Sequence, residues 1–393
     1  MDKQPIDNLT IHHFRGIRDL TLENLGQINL LVGVNNSGKT SVLEAIYTYC
    51  NPLEPLEWLN TAWRREVKSS RKSKLESLKW LFPQNTHNNS DSFYQGETWV
   101  SGNSTFGFLE SKATYQEIEE IWDSTKDNDE EDEQENLINE IDIDDNEIRR
   151  GADLKLRCTP LKLMLKSDIF DYENDEKNQE KFIYKNFRIW ENQPLTILNK
   201  YKGNWLSVDI VTPFSHRIEQ LQIKLLTGAI FKGFKPEIIE LISMMDSEIL
   251  DLEILDITGK NSRLYVRHKT LGITPLSSFG DGVRRLLFMA LTIAKLKDGI
   301  LLIDELETAI HTEALLFSFS WLVKWCKEMN IQLFATTHSL ETVDAILNAS
   351  ELISDNDLVL YRLYQKDMQT QAIRIDQAKL TRVRENLGLE VRW

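Results

Sequence analysis

Apolar positions recur along this chain in two rhythms. Residues 9–14 alternate apolar with polar, Arg15-Gly16 turns the chain, and alternation resumes at 20–22. That pattern predicts two strands joined by a tight turn. Residues 28–32, Ile-Asn-Leu-Leu-Val, are almost continuously apolar, as in a strand covered on both faces. A helix is expected from Thr40 and is spent by Asn51-Pro52. Residues 52–82 are helix-prone, 85–92 read as loop, and 97–113 as strands with tight turns. Residues 118–123 predict a helix start. Strands are expected at 154–157, 182–189 and 208–211, and helices at 215–226 and 236–245, where apolar residues recur every three or four positions. A strand pair at 249–257 and 262–267 leads to a long apolar helix at 284–297. Buried strands at 300–303 and 331–336 follow, then short strands at 358–364 and 372–375 with a short helix.

Composition narrows the setting. The apolar runs at 286–296 and 300–303 fall short of the ~20 residues that cross a bilayer, so no membrane partner is expected. Residues 1–5 carry no apolar signal core. The three cysteines, Cys50, Cys158 and Cys326, are scattered and odd in number, which predicts reduced thiols in a cytoplasmic protein and no zinc site. The net charge of −15 looks hostile to nucleic acid. It is concentrated, however: thirteen acids and one lysine lie between Asp123 and Glu147, leaving only −3 for the rest. The body of the protein is therefore close to neutral, and contact with DNA or a phage component stays open. The acidic stretch reads as a mobile insertion. Its Asp142-Ile143-Asp144 suggests a nuclease centre only superficially, because no strand-and-helix frame surrounds it. The basic run 64–74 reads as a solvated helix face or loop, with nucleic-acid contact or pairing with the acidic stretch as alternatives.

Chemistry enters at Gly33-Val34-Asn35-Asn36-Ser37-Gly38-Lys39-Thr40. A strand precedes it and a helix follows, the context a G-x-x-x-x-G-K-[ST] phosphate loop requires. Gly33 and Gly38 permit backbone angles and a close phosphate approach that side chains block. The amides of residues 35–41, Ser41 included, are expected to wrap the β-phosphate at the positive end of a helix. Lys39 reaches the β- and γ-phosphates, and Thr40 offers its hydroxyl to Mg²⁺. The competing reading is a glycine turn that matches by chance.

Three later stretches extend the pattern. Ser277-Ser278-Phe279-Gly280-Asp281-Gly282 opens a helix and forms a second anion-binding end, though a Ser-Gly cap alone is common. Ile300-Leu301-Leu302-Ile303 ends in Asp304-Glu305 at the strand edge where open α/β sheets bind ligands. Asp304 is expected to hold Mg²⁺ and Glu305 to orient or deprotonate the attacking water; a plain helix cap is the alternative. Ala335-Thr336-Thr337-His338-Ser339 ends another buried strand, and a γ-phosphate contact is natural there for His338, although a lone histidine is usually structural. No Asn-Lys-x-Asp guanine-reading tetrapeptide occurs, which favours ATP over GTP.

In this order the motifs resemble the ABC-type ATPase heads of the SMC, RecF and OLD families. Phe14-Arg15-Gly16 and residues 28–33 look like the opening strands of that superfamily. Ile303-Asp304-Glu305-Leu306-Glu307-Thr308-Ala309-Ile310-His311 and residues 335–339 look most like its OLD branch. The resemblance covers residues 9–50 and 270–365 and leaves the middle uncovered. It implies an α/β phosphate-loop head, a mixed sheet with flanking helices, plus a helical lobe. Residues 1–112 and 213–393 are then the two parts of the head, and 113–212 an insertion. It also implies head-to-tail dimers, in which Ser278 and Gly280 of one chain meet the γ-phosphate held by Lys39 of the other. Ser278 to Gly282 departs from the transporter signature Leu-Ser-Gly-Gly-Gln, which argues against a transporter subunit. His311 replaces the aspartate found after the second motif in transporters. Gln84 and Gln95 are only candidates for a Q-loop residue. OLD proteins carry a Toprim nuclease after the ATPase, but 55 residues after His338 are too few for one. Similar stand-alone ATPases act beside separately encoded effectors in anti-phage systems such as PARIS. The expectation is an ATP- and Mg²⁺-dependent ATPase that senses an intruder and controls a partner protein. A repair ATPase acting directly on DNA and a scaffold with little turnover are the alternatives.

Overall fold

The computed structural model of the chain describes residues 4–65, 73–84, 93–104, 107–121, 148–159, 171–174, 181–192, 206–256, 261–352, 357–367 and 369–392. The acidic stretch 123–147, with Asp142 and Asp144, and most of the basic run, residues 66–72, lie outside them.

The chain opens with β1 (Ile6–Phe14), β2 (Ile17–Leu22) and β3 (Ile28–Val32), then α1 (Lys39–Cys50), α2 (Pro55–Trp63) and α3 (Lys74–Lys79). Five strands follow: β4 (Gln95–Ser104), β5 (Gly107–Ile121), β6 (Ile148–Cys158), β7 (Asp171–Asn174) and β8 (Lys181–Trp190). After β9 (Val208–Val211) come α4 (Glu219–Phe231), α5 (Lys235–Met245), β10 (Ile249–Leu255), β11 (Arg263–His268) and β12 (Gly272–Pro275). The last third holds α6 (Asp281–Lys295), β13 (Ile300–Ile303), α7 (Thr312–Glu328), β14 (Gln332–Thr336), α8 (Leu340–Leu352), β15 (Leu358–Lys366), β16 (Gln369–Asp376) and α9 (Gln377–Thr381).

The central sheet has the order β16-β15-β3-β14-β13-β9. Its strands run parallel except β16, which returns antiparallel on β15. All five residues of β3 are buried, as the continuous apolar run predicts. Alternate residues serve two cores. Leu30, Val32, Leu301 and Ile303 face α6, α7 and α8, while Leu31, Ile300, Leu302 and Phe334 face α1 and the second sheet. Each such side chain contributes about 1.5–3 kcal/mol of burial. The second sheet, β2-β1-β4-β5-β6-β8-β7, is wholly antiparallel. Helices α4 to α6 and the small sheet β10-β11-β12 form a helical lobe against the central sheet. The chain thus adopts the expected α/β class, a mixed sheet around the phosphate loop with flanking helices.

One local expectation is overturned. Residues 118–121 continue strand β5 instead of starting a helix. Ile118, Glu119 and Glu120 pair across the ladder with Gly151, Arg150 and Arg149, so opposite charges face each other along the hairpin. Strand β5 also runs through the 112/113 boundary, joining the first segment to the insertion in one sheet. Among the described residues no helix is long and apolar enough to cross a membrane. Cys50, Cys158 and Cys326 are free and buried.

Candidate functional site

Strands β3, β14 and β13 lie side by side and parallel, so the residues that follow them emerge at one edge of the sheet. That edge gathers Gly33 to Thr40, Asp304 with Glu305, and Thr336 to His338 from three distant parts of the sequence.

The loop between β3 and α1 is shaped for an anion. Gly33 sits at φ 147° and Gly38 at φ 95°, both outside the range of ordinary side chains. A Cβ on Gly33 would come 2.3 Å from the carbonyl oxygen of Leu363 and 2.7 Å from Ser37 Oγ. Gly38 caps α1 without a side-chain hydrogen bond, and the first turn carries no acidic residue. The positive end of the helix is thereby left to a ligand. Ser37 Oγ is buried without a hydrogen-bond partner. Asn35 and Asn36 are exposed at the loop tip, Asn36 at φ 66°. Lys39 is buried and donates from Nζ to the carbonyls of Gly33 (2.7 Å) and Val34 (3.0 Å). Burial lowers its pKa, opposed by the charges of Asp304, Glu305 and Glu307.

Asp304 links the loop to the sheet. It accepts from Thr40 Oγ1 at 3.1 and 3.2 Å and from Thr336 Oγ1 at 2.7 Å. Desolvation raises its pKa, and those two hydroxyls offset the rise only in part. Thr336 Oγ1 also accepts the Glu305 N–H at 2.8 Å, so one hydroxyl orients both members of the acidic pair. Glu305 is exposed, held at φ 50°, and accepts from Thr308 Oγ1 at 3.0 Å. A non-glycine residue in that region is strained, a feature that clusters at functional sites. His338 lies two residues past the end of β14, exposed, with its N–H donating to Glu307 Oε1 at 2.9 Å.

Sequence reasoning missed two supports. Arg285, on α6, is fully buried and donates to the carbonyls of Thr212 (2.5 Å), Asp304 (2.9 Å) and Glu305 (2.9 Å). Burial brings its pKa down to about 10. The sequence offers only a basic pair on a helix, with no sign of which arginine turns inward. The second is Glu44, also fully buried, which meets Arg15 Nε at 2.7 Å and Arg65 Nη2 at 2.6 Å. Arg65 also donates to Ser41 Oγ at 3.0 Å, and Arg64 stacks over the Tyr47 ring. The start of the basic run is therefore turned inward onto α1.

Ser278 and Gly280 are exposed, just before and at the cap of α6. Among the described residues no hydrogen bond joins them to the phosphate loop. Two residues on, Gly282 packs where an added Cβ would lie 2.8 Å from the Ala309 carbonyl, just beyond Glu305. Gln84 donates to the carbonyls of Lys79 and Phe82, away from the loop, and Gln95 opens β4 in the antiparallel sheet.

These residues fit a magnesium–nucleotide complex: a glycine cradle, an uncapped helix end, a buried ammonium, and a hydroxyl–carboxylate pair of hard oxygen donors. A 114-residue stretch is 33% identical to the uncharacterized protein MJECL11 of Methanocaldococcus jannaschii, covering 29% of this chain and 98% of that one. A 42-residue stretch is 50% identical to the DNA replication and repair protein RecF of Pseudoalteromonas translucida; the chain spans 12% of that protein's length. In structure the chain aligns with the Smc head solved bound to the C-winged helix domain of ScpA. The TM-score is 0.47 and the identity 11%, over 95% of this chain and 99% of that one. It aligns likewise with the SMC head domain from Thermotoga maritima, at TM-score 0.44 and 12% identity over the same shares. The family model AAA_15, AAA ATPase domain, matches residues 5–343, and the chain accordingly belongs to the AAA ATPase domain family.

Proposed function

We propose that this chain binds and hydrolyses ATP with Mg²⁺ as an OLD-like ABC ATPase, working as a sensor and scaffold that controls a separately encoded effector, a Toprim-type nuclease, in anti-phage defence. The observation that carries the nucleotide part is the Thr40–Asp304–Thr336 linkage, which ties phosphate loop and acidic pair into one site. The defence part is supported by the OLD-like stretches 303–311 and 335–339.

The roles follow from the chemistry of each group. Lys39 exchanges its two carbonyl acceptors for phosphate oxygens, and an anion there restores the ammonium that burial penalises. Loop amides and the end of α1 hold the phosphates. Thr40 and Asp304 would hold a magnesium ion, which when bound would supply charge neutralisation at the phosphates. Glu305 orients a water and takes its proton while the water oxygen bonds to the γ-phosphorus and the bond to ADP breaks. His338 contacts the γ-phosphate from the neighbouring strand. Exposure of Ser278 and Gly280 suits their meeting the nucleotide of a second copy, head to tail.

Glu305→Gln tests the reading by phosphate release and ATP binding. Retained binding with turnover reduced about a hundredfold or more is expected. Full turnover would assign the water to another residue; no release from either form would favour a scaffold. A second reading, direct action on DNA, is supported by the RecF match. Salt-dependent DNA binding by the purified chain would favour it.

A further inference from the structure

The stretch after α9 folds back over the loop that carries His338. Val391 is 2% exposed and belongs to the same core as Val343 and Ile346 of α8, the helix that starts just after His338. Arg384 donates from Nε and Nη2 to both carboxylate oxygens of Asp344 on α8, at 2.8 and 2.9 Å, and from Nη1 to the Leu389 carbonyl. The segment is thus fixed beside α8 before it reaches its last contact.

That contact is Arg392. Its Nη1 donates to the His338 carbonyl at 2.7 Å, while Nε and Nη2 donate to Glu390 Oε1 and Oε2, each at 2.8 Å. Glu390 also accepts the N–H groups of Val391 and Arg392 at 3.0 and 2.9 Å. The Arg392 side chain, with these backbone donors, holds the Glu390 carboxyl down to about 2, so the clamp on the guanidinium stays charged. On its other side His338 donates its N–H to Glu307, two residues beyond Glu305. The main chain of an otherwise exposed histidine is therefore gripped at both its nitrogen and its oxygen by charged side chains. One comes from the loop after β13, the other from the stretch after α9.

We propose that Arg392 is a positioning residue for His338: together with Glu307 it fixes the peptide units flanking the histidine, and so makes nucleotide turnover depend on the segment 388–392. The proposal rests on the ATPase reading and adds regulation to that same site. A guanidinium–carbonyl bond is charge-assisted, and its loss corresponds to about a tenfold change in an equilibrium that keeps the histidine in place.

The test compares wild type, Arg392→Ala, Arg392→Lys, His338→Ala and the double variant His338→Ala/Arg392→Ala, measuring kcat at saturating ATP and the ATP Kd separately. Arg392→Ala should lower kcat about tenfold with Kd unchanged, and Arg392→Lys should recover part of the loss. In the His338→Ala background the arginine change should have no further effect. A lowered Tm with unchanged kcat would overturn the proposal, because Arg392 would then only staple the segment down. Losses that multiply in the double variant would overturn it too, since the arginine would not act through the histidine. Should Arg392→Ala not fold, Glu390→Gln loosens the same guanidinium without removing it, and a smaller His338-dependent fall in kcat is expected. Wild type without any hydrolysis would defeat the ATPase reading itself; hydrolysis with unaltered variants would defeat the role of Arg392 alone.

Discussion

Replacing Asp304 by asparagine separates a residue kept for chemistry from one kept for stability. The side chain accepts from two neutral hydroxyls, Thr40 at 3.1 Å and Thr336 at 2.7 Å. Among the described residues no cation lies within ion-pair distance of it. A carboxylate in that setting is desolvated without full compensation, as the upward push on its pKa indicates. Asparagine has nearly the same size and keeps one oxygen acceptor. Its amide group faces a hydroxyl that can rotate to accept. The exchange removes the desolvation penalty and weakens one hydrogen bond. Each effect is about 1 kcal/mol, so the unfolding free energy should stay within about 1 kcal/mol of wild type or rise slightly. The electrostatic contribution to turnover disappears altogether, and Mg²⁺-dependent phosphate release should fall about a hundredfold or more. Urea unfolding without magnesium, beside a phosphate-release assay with it, reads both quantities. A loss of more than about 2 kcal/mol in stability would refute the reasoning, because Asp304 would then be a structural strut. Retained phosphate release would refute it from the other direction.

Two further outcomes follow from the packing of the same region. Gly33→Ala places a Cβ 2.3 Å from the Leu363 carbonyl, a backbone atom that cannot swing aside, at φ 147°. It should cost about 3 kcal/mol and abolish nucleotide binding, checked by thermal unfolding and ATP titration; wild-type binding would contradict the cradle. Glu44→Gln removes the charge that Arg15 and Arg65 share. The expected loss is about 3 kcal/mol, the low end for a broken buried pair, because the Arg65 side chain is 43% exposed and can rehydrate. A change under about 1 kcal/mol in urea would mean that the cluster contributes little.

How much of this was legible in the sequence depended on the range of the interaction. The strand–glycine-loop–helix at 28–46 is local, and both its periodicity and its motif survive intact in β3 and α1. The four apolar residues before Asp304, and the run before His338, likewise become the fully buried strands β13 and β14. Residues 118–121 misled because Glu and Ile recur there at a spacing that suits a helix; what decides for a strand is the facing pair Arg149 and Arg150, beyond the acidic stretch. Glu44 carried no visible signal, since its partners lie 29 residues before and 21 after it. Arg285 was hidden for a second reason: its acceptors are main-chain carbonyls, which leave no mark in residue type. Thr336 stood inside a stretch singled out for its histidine, yet its hydroxyl is what orients Asp304 and Glu305.

The most direct measurement is calorimetric titration of Mg·ATP into wild type and Lys39→Ala. The Lys39 ammonium is buried between the carbonyls of Gly33 and Val34 at the edge shared with Asp304. Wild type should bind one nucleotide per chain, and the variant should bind at least about thirtyfold more weakly, the value of a lost charge-assisted contact to phosphate. Equal affinities would place the nucleotide elsewhere and contradict the account.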